Sequence, residues 1–412
     1  MRDILQKLTT VAGLALLHGA LSVVAANAEE IPEHFTPVRP AGMGGAFTAI
    51  ANDESAVWTN PAGVGRTRKH RSRAAFHVFK FPNVIAGANK DSRNFYDTFK
   101  GAGDSSVADA VSNSDDFTKP LYVRGAAFPV AVFDTVGRQA PMAFGLYSNT
   151  TAKVVVEKDS PEEARVDAVS DLGSVITFGL TDQNNRLNLG LQARPVMRYA
   201  YEDRIPSGDL PDRDKMKERF QNDANKMTGV GLDAGAMYTV GDFWYPTIGI
   251  AVFNLPTGCK EQYLNPFTET MTTVCGNVYT GDINNPDALS TVDPMDLRAG
   301  VSITPRFGRK VAVRFALDVH QIPVGDETQS YGLQGIDAAK LIHAGAELFL
   351  GNPLEINPVS IRGGYSQGFA TAGATLNLGF MTFDFATYGR DVASGPKPVE
   401  DRRYLGAISL GF

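Results

Sequence analysis

Ten ionisable residues stand at alternate positions inside otherwise apolar runs: Arg194, Arg198, Asp233, Arg298, Arg314, Asp318, His343, Glu347, Arg362 and Asp384. An arginine placed in this way can grip a carboxylate through two parallel N–H bonds. Arg194, Arg314 and Arg362 are the candidates for holding a ligand head group. The same ten charges, paired with one another, would instead hold a solvated interior together, and both chemistries stay open at this level. Catalysis finds no footing. The stretch Gly364-Tyr365-Ser366-Gln367-Gly368 has the spacing of a nucleophile elbow, yet it lies between two strand-like runs with no helix following, so the chain is read as a non-enzyme with no catalytic residue. None of the six histidines falls in a ligand cluster, and Asp282, Asn284 and Asp287 depart from calcium-loop spacing. No metal or cofactor is expected. Cys259 and Cys275, the only two cysteines, are read as a disulfide formed in an oxidising compartment.

The elements that carry these residues are strands. In Arg186–Tyr199 the residues Leu187, Leu189, Leu191 and Met197 face one way, while Asn188, Gln192, Arg194 and Arg198 face the other. The pattern recurs in 296–304, 310–319 and 341–349 and ends with Tyr404, Gly406, Ile408, Leu410 and Phe412 on one face. Side chains alternate across a strand, so such a segment shows lipid an apolar stripe and hides its polar half. No apolar stretch of about 18 residues follows the amino-terminal region, which excludes helical spanning and leaves a barrel open. We read strands near 73–81, 121–131, 141–149, 172–180, 186–199, 229–240, 246–253, 296–304, 310–319, 341–349, 357–365, 370–378, 381–389 and 403–412. The fold class is therefore all-β, a transmembrane antiparallel barrel of about fourteen strands. Long and short connections alternate through the first ten, as short periplasmic turns and longer extracellular loops require.

Arg2 and Lys7, an apolar run and the small-residue site Ala26-Asn27-Ala28 read as a cleaved signal peptide over 1–28. Removing it takes a net +1 from the chain's −6 and leaves −7, which argues against nucleic acid as a partner. The basic run Arg66, Arg68, Lys69, His70, Arg71 and Arg73 is assigned to lipid phosphates or plug acids. The polar stretch Pro211–Met227 reads as a short solvated helix.

Segment 29–72 is too long for a tether and does not alternate, so it is read as an amino-terminal plug, or hatch, inside the lumen of a barrel spanning 73–412. Gly42, Gly44 and Gly45 would permit close backbone approach. Pro61 biases Asn60 away from helix, so Asn60-Pro61 should end a short helix over Ala46–Val57. The stretch Arg39–Gly65, with Gly42, Gly44, Gly45, Ala46, Asp53, Asn60, Pro61, Ala62 and Gly63 in place, resembles the hatch motif of the FadL-type outer-membrane proteins, which include fatty-acid and hydrocarbon transporters, the PorV shuttle barrel and TraF-like proteins. The resemblance implies a Gram-negative outer-membrane barrel, in contact with outer-membrane lipid, that binds and passively transports hydrophobic solutes such as long-chain fatty acids. The alternative it implies is a non-transporting shuttle or assembly barrel that binds a protein partner through its loops.

Overall fold

The computed structural model describes residue 31 and residues 35–67, 76–90, 120–134, 140–156, 162–210, 212–263, 271–281, 290–308, 311–325, 329–330, 338–350, 358–392 and 398–411. The signal segment 1–28, the basic residues 68–73, the acidic residues 282–287 and Phe412 lie outside the described residues.

Fourteen wall strands close into an antiparallel barrel. They are β1 (Phe76–Asn89), β2 (Leu121–Ala127, resuming as Val130–Asp134), β3 (Pro141–Val156), β4 (Glu163–Thr181), β5 (Leu187–Pro206), β6 (Asn225–Thr239) and β7 (Thr247–Phe253). The second half comprises β8 (Asp296–Ile303), β9 (Val311–Val319), β10 (Ile342–Leu350), β11 (Val359–Ser366), β12 (Phe369–Asn377), β13 (Met381–Asp391) and β14 (Glu400–Gly411). Closure comes from β14 on β1, with Ala86 opposite Gly406 and Val84 opposite Ile408. Each predicted strand overlaps a wall strand, although the first, expected near 73–81, runs on through residues read as loop to Asn89.

The period-two pattern explains the two faces. Leu172, Phe178, Leu180, Leu191, Ile250, Leu317 and Ile408 are each about half exposed or more on the outside. A belt this apolar is stable only against lipid. Phe243, Trp244, Phe307 and Phe380 are exposed at the short-turn end, where amphipathic rings collect at a membrane interface.

At the opposite end the wall is uneven. β4 and β5 run for 19 and 20 residues, well over the roughly 9–11 that cross a bilayer. The connection expected over 150–171 is therefore mostly strand, because Lys153 and Val155 stay paired with Asp167 and Arg165. Helix Arg213–Asp223, capped by the Asp212 carboxylate accepting from the Asp214 and Lys215 N–H groups, lays Met216 and Phe220 on Val166, Tyr201 and Ile205. These wall residues continue the lipid-facing side of β4 and β5, so the helix takes over from lipid in covering it. Beside it, strand Met271–Thr280 pairs with Gly258–Tyr263, with Ser290–Pro294 and with the outer end of β6. Cys259 and Cys275 face each other there and are bonded, with an S–S length of 2.01 Å.

Candidate functional site

The lumen is filled by residues 35–67. The continuous helix expected over Ala46–Val57 is not formed. The hatch instead runs as helix α1 (Val38–Gly42), a series of turns, helix α2 (Ala56–Thr59) and a 3₁₀ segment Pro61–Arg66. The barrel itself competes for the backbone: the N–H groups of Phe47 and Thr48 donate to the Asp318 carboxylate at 2.8 and 2.7 Å. Those two donors would lack a partner at a helix start in any case; a helix would also need the carbonyls of Thr48 and Ala49, and these accept instead from the Asn60 amide at 2.8 Å and from Ser302 and Arg66 at 3.2 Å. Gly44 and Gly45 take φ of +67° and +83°, a left-handed geometry that costs glycine nothing.

Asn60 ends α2 in extended conformation and accepts from the Ala62 N–H. Its amide nitrogen donates to the Thr48 carbonyl at 2.8 Å and reaches the carbonyls of Ala236 and Ile250 at 3.3 Å. One side chain thus ties two parts of the hatch to two wall strands. Pro61 and Ala62 press on Gly190, where a Cβ would meet the Pro61 carbonyl carbon at 2.3 Å. Gly235 faces the Asn60 side-chain oxygen, and Gly249 faces Thr48 and Ala49 in the same manner. Gly190 stands opposite Gly235, and Gly249 opposite Gly300. Paired wall glycines therefore form the seat of the hatch, and a glycine inside a strand is the one signal by which sequence could have marked it.

Charge fastens what shape admits. Arg39 in α1 donates from Nε and Nη2 to the Glu347 carboxylate of β10 at 2.9 and 2.6 Å, and to Asp53 and Asn52 within the hatch. Glu347 is fully buried. Burial pushes the Asp53 carboxyl upward, but the Arg39 guanidinium and the Ser55 contacts outweigh it and hold the group below its ordinary range.

The three arginines proposed from sequence to hold a ligand fare differently. Arg194 is spent on Asp233, at 2.6 and 2.9 Å, and on Asn254 at 2.7 Å. Arg362 is buried against Asp384 and Thr375 and lies 3.5 Å from Glu347. Arg314 keeps a buried Nη1, and Arg362 a buried Nε, with no hydrogen-bond partner among the described residues, and of these two only Arg314 lines a cavity. Arg198 closes the lumen further out, clasping Asp171 and Asp293 with paired bonds of 2.8 to 3.0 Å across the Tyr279 ring.

Two cavities lie among the described residues of the lumen. An outer one of about 150 Å³ lies toward the long loops, between the hatch, Phe253, Met295, His343 and Tyr388. An inner one of about 260 Å³ opens toward the short turns, among Val78, Ile85, Phe128, Arg314 and Phe349. Phe35, Pro37 and Trp58 line both. Trp58 stacks on Phe35 at 4.3 Å and meets Phe128 and Tyr147 edge-on at 5.4 and 5.0 Å. This aromatic cluster is the partition between the cavities, and the sequence reading did not single it out. Its one signal was a tryptophan in the hatch of a chain that has only two.

Barrel, lipid-facing belt and seated hatch together define a plugged outer-membrane β-barrel. Its fold is similar to that of a solved monoaromatic hydrocarbon channel, the TodX deltaS2S3 mutant, at 11% identity over 91% of this chain and 98% of that one, with a TM-score of 0.53. The Pseudomonas putida toluene transporter TodX gives 10% identity, 93% and 99% coverage and a TM-score of 0.50. No family model and no curated protein matches the sequence.

Proposed function

We propose that the chain is a passive outer-membrane channel for compact hydrophobic solutes, with the hatch as its gate. The observation that carries the reading is the pair of lumenal cavities meeting at one aromatic partition. A dry cavity of about 150 Å³ accepts benzene, and pockets for drug-sized ligands run to roughly 300–1,000 Å³. Cavities of about 150 and 260 Å³ suit a single ring better than a long fatty acyl chain. The fold shared with toluene and monoaromatic hydrocarbon channels supports the same class of solute. Passage would require Phe35 and Trp58 to part, joining the two cavities. Uptake of radiolabelled toluene by Gram-negative cells that lack such channels tests this reading. Expression of the chain should raise the initial rate, and a rate equal to that of cells carrying empty vector would refute the channel.

A second reading has one observation in its favour. The raised ends of β3, β4 and β5 carry their own apolar cluster under helix Arg213–Asp223, a unit the lumen does not need. A barrel that docks a protein through its loops would use such a platform. Deleting 207–224 and rejoining the strands should leave toluene uptake intact if the channel reading holds.

A further inference from the structure

The inner cavity has a feature that a pure hydrocarbon would leave unanswered. Arg314 enters it from β9 with its Nε 3.3 Å from the Thr304 hydroxyl and its guanidinium over the Phe349 ring at 4.9 Å. Its Nη1 is 3.7 Å from Glu347, beyond hydrogen-bond reach, and is buried without an acceptor among the described residues. Glu347 already accepts two bonds from Arg39. The indole N–H of Trp58, in the wall of the same cavity, is likewise buried and unpartnered. A buried donor left unsatisfied is expensive, and native interiors rarely retain one without a purpose.

The charges around the cavity decide what kind of acceptor fits. Arg39, Lys80 and Arg314 face four carboxylates, those of Asp53, Glu54, Glu347 and Asp384. Arg362, ion-paired to Glu347 and Asp384 from behind, brings this cluster to neutrality. Arg66, bonded to the Ala49 carbonyl, adds one positive charge near Arg314 but does not line the cavity. An incoming anion would meet the four carboxylates at the wall and would lose its hydration for one hydrogen bond. A neutral carbonyl, ether or phenolic oxygen needs only the one bond. Resting on the channel reading above, we propose that the inner cavity selects a compact apolar solute bearing one neutral acceptor oxygen, held by Arg314 Nη1 in the space that Phe349 and Trp58 line. Arg314 is then the specificity-determining residue, favouring oxygenated ring compounds over both their parent hydrocarbons and the corresponding acids.

The chain's two tryptophans make the test direct. Trp244 is exposed at a turn, so the full-length Trp244→Phe protein in detergent reports from Trp58 alone. Methylcyclohexane, cyclohexanone and cyclohexanecarboxylate are titrated while Trp58 fluorescence is followed. Cyclohexanone should give a saturable change at the lowest concentration. Arg314→Met should weaken it by about tenfold or more, the range of a hydrogen bond to a charged group, without changing the methylcyclohexane response, and Arg314→Lys should restore part of the loss. Tightest binding by the carboxylate, equal binding of ketone and hydrocarbon, or an Arg314→Met variant that binds ketone normally would each overturn the proposal. Should Arg314→Met fail to fold, the ranking of the three ligands on the parent protein decides. Equal ketone and hydrocarbon binding would spare the channel and remove only this inference, whereas no saturable response to any of the three would remove both.

Discussion

Glu347 is the point at which barrel and hatch are joined by charge, and replacing it by leucine should release the hatch without dismantling the barrel. Arg39 loses two bonds of 2.9 and 2.6 Å and keeps Asp53 and Asn52. Arg362 keeps Asp384 and Thr375. Removing one partner of a buried ion pair costs about 3–5 kcal/mol, chiefly because the other charge is left behind. At about 1.4 kcal/mol per factor of ten, the undocked population should rise roughly 10²- to 10³-fold. The strand that carries Glu347, β10, is paired with β9 and β11 over nearly its whole length by backbone bonds that do not use this carboxylate. The assay is maleimide labelling of an Ala56→Cys reporter. Ala56 is fully buried in α2, and the two native cysteines are already bonded to each other. When opening is fast relative to labelling, the rate follows the open population. Glu347→Gln, which retains one acceptor oxygen, should fall between parent and leucine variant. Equal labelling of parent and Glu347→Leu, with the barrel folded in both, would show that shape alone seats the hatch.

Shape has its own test. Gly235→Ala places a methyl 2.0 Å from the Asn60 side-chain oxygen, an overpacking of the kind that costs about 1–3 kcal/mol, so Ala56→Cys labelling should accelerate, while Gly241→Ala in an open turn should leave it unchanged. A pH dependence follows from Asp53, whose carboxyl is held below its ordinary value of 3.8. A depressed pKa contributes stability that is complete above the unfolded value and is lost as pH falls through the folded one. Docking should thus hold down to about pH 4 and weaken below it. Glu54 shifts the opposite way, raised by burial more than Lys80 lowers it, so the Asp53 contribution is read as the difference between the parent and Asp53→Asn labelling profiles. Parallel profiles on the acid side would refute it.

The barrel was legible because lipid enforces a simple rule on every strand. Leu187, Leu189 and Leu191 face out and Asn188, Gln192 and Arg194 face in, so the alternation survives any uncertainty about strand ends. The strand ends were misjudged in β1, which was expected to stop near 81 and runs to Asn89, and most of all where no lipid acts. Above the membrane β4 and β5 keep pairing through Asp167, Glu202 and Arg204, residues whose composition reads as loop. The hatch was legible as a segment from its glycines and Asn60-Pro61, but its path was not. Whether 46–57 is helical depends on what takes its carbonyls, Asn60, Arg66 and Ser302, the last 253 positions away in sequence, and no local pattern carries that. The same distance hid the fate of the arginines. Arg194, Arg314 and Arg362 look alike in sequence, and only the positions of Asp233, Asp384 and Glu347 in the closed wall separate a committed guanidinium from an available one.

Free charges in the lumen would oppose passage of apolar molecules, and the arrangement of the pairs removes the conflict. Most of the inward charges are committed, in closed sets such as Arg194 with Asp233, Arg198 with Asp171 and Asp293, and Arg39 with Glu347 and Asp53. A closed set presents little field to a solute beside it and holds its side chains in fixed positions. The surface left to line the cavities is then aromatic and aliphatic: Phe35, Trp58, Phe128, Val78, Ile85 and Phe349. The polar groups thus clamp the hatch, and in the proposed channel the rings between them would supply the solute path. On this view a substitution that unpairs a lumenal charge should impair transport by loosening the gate and wetting the cavity, even where the residue never touches solute.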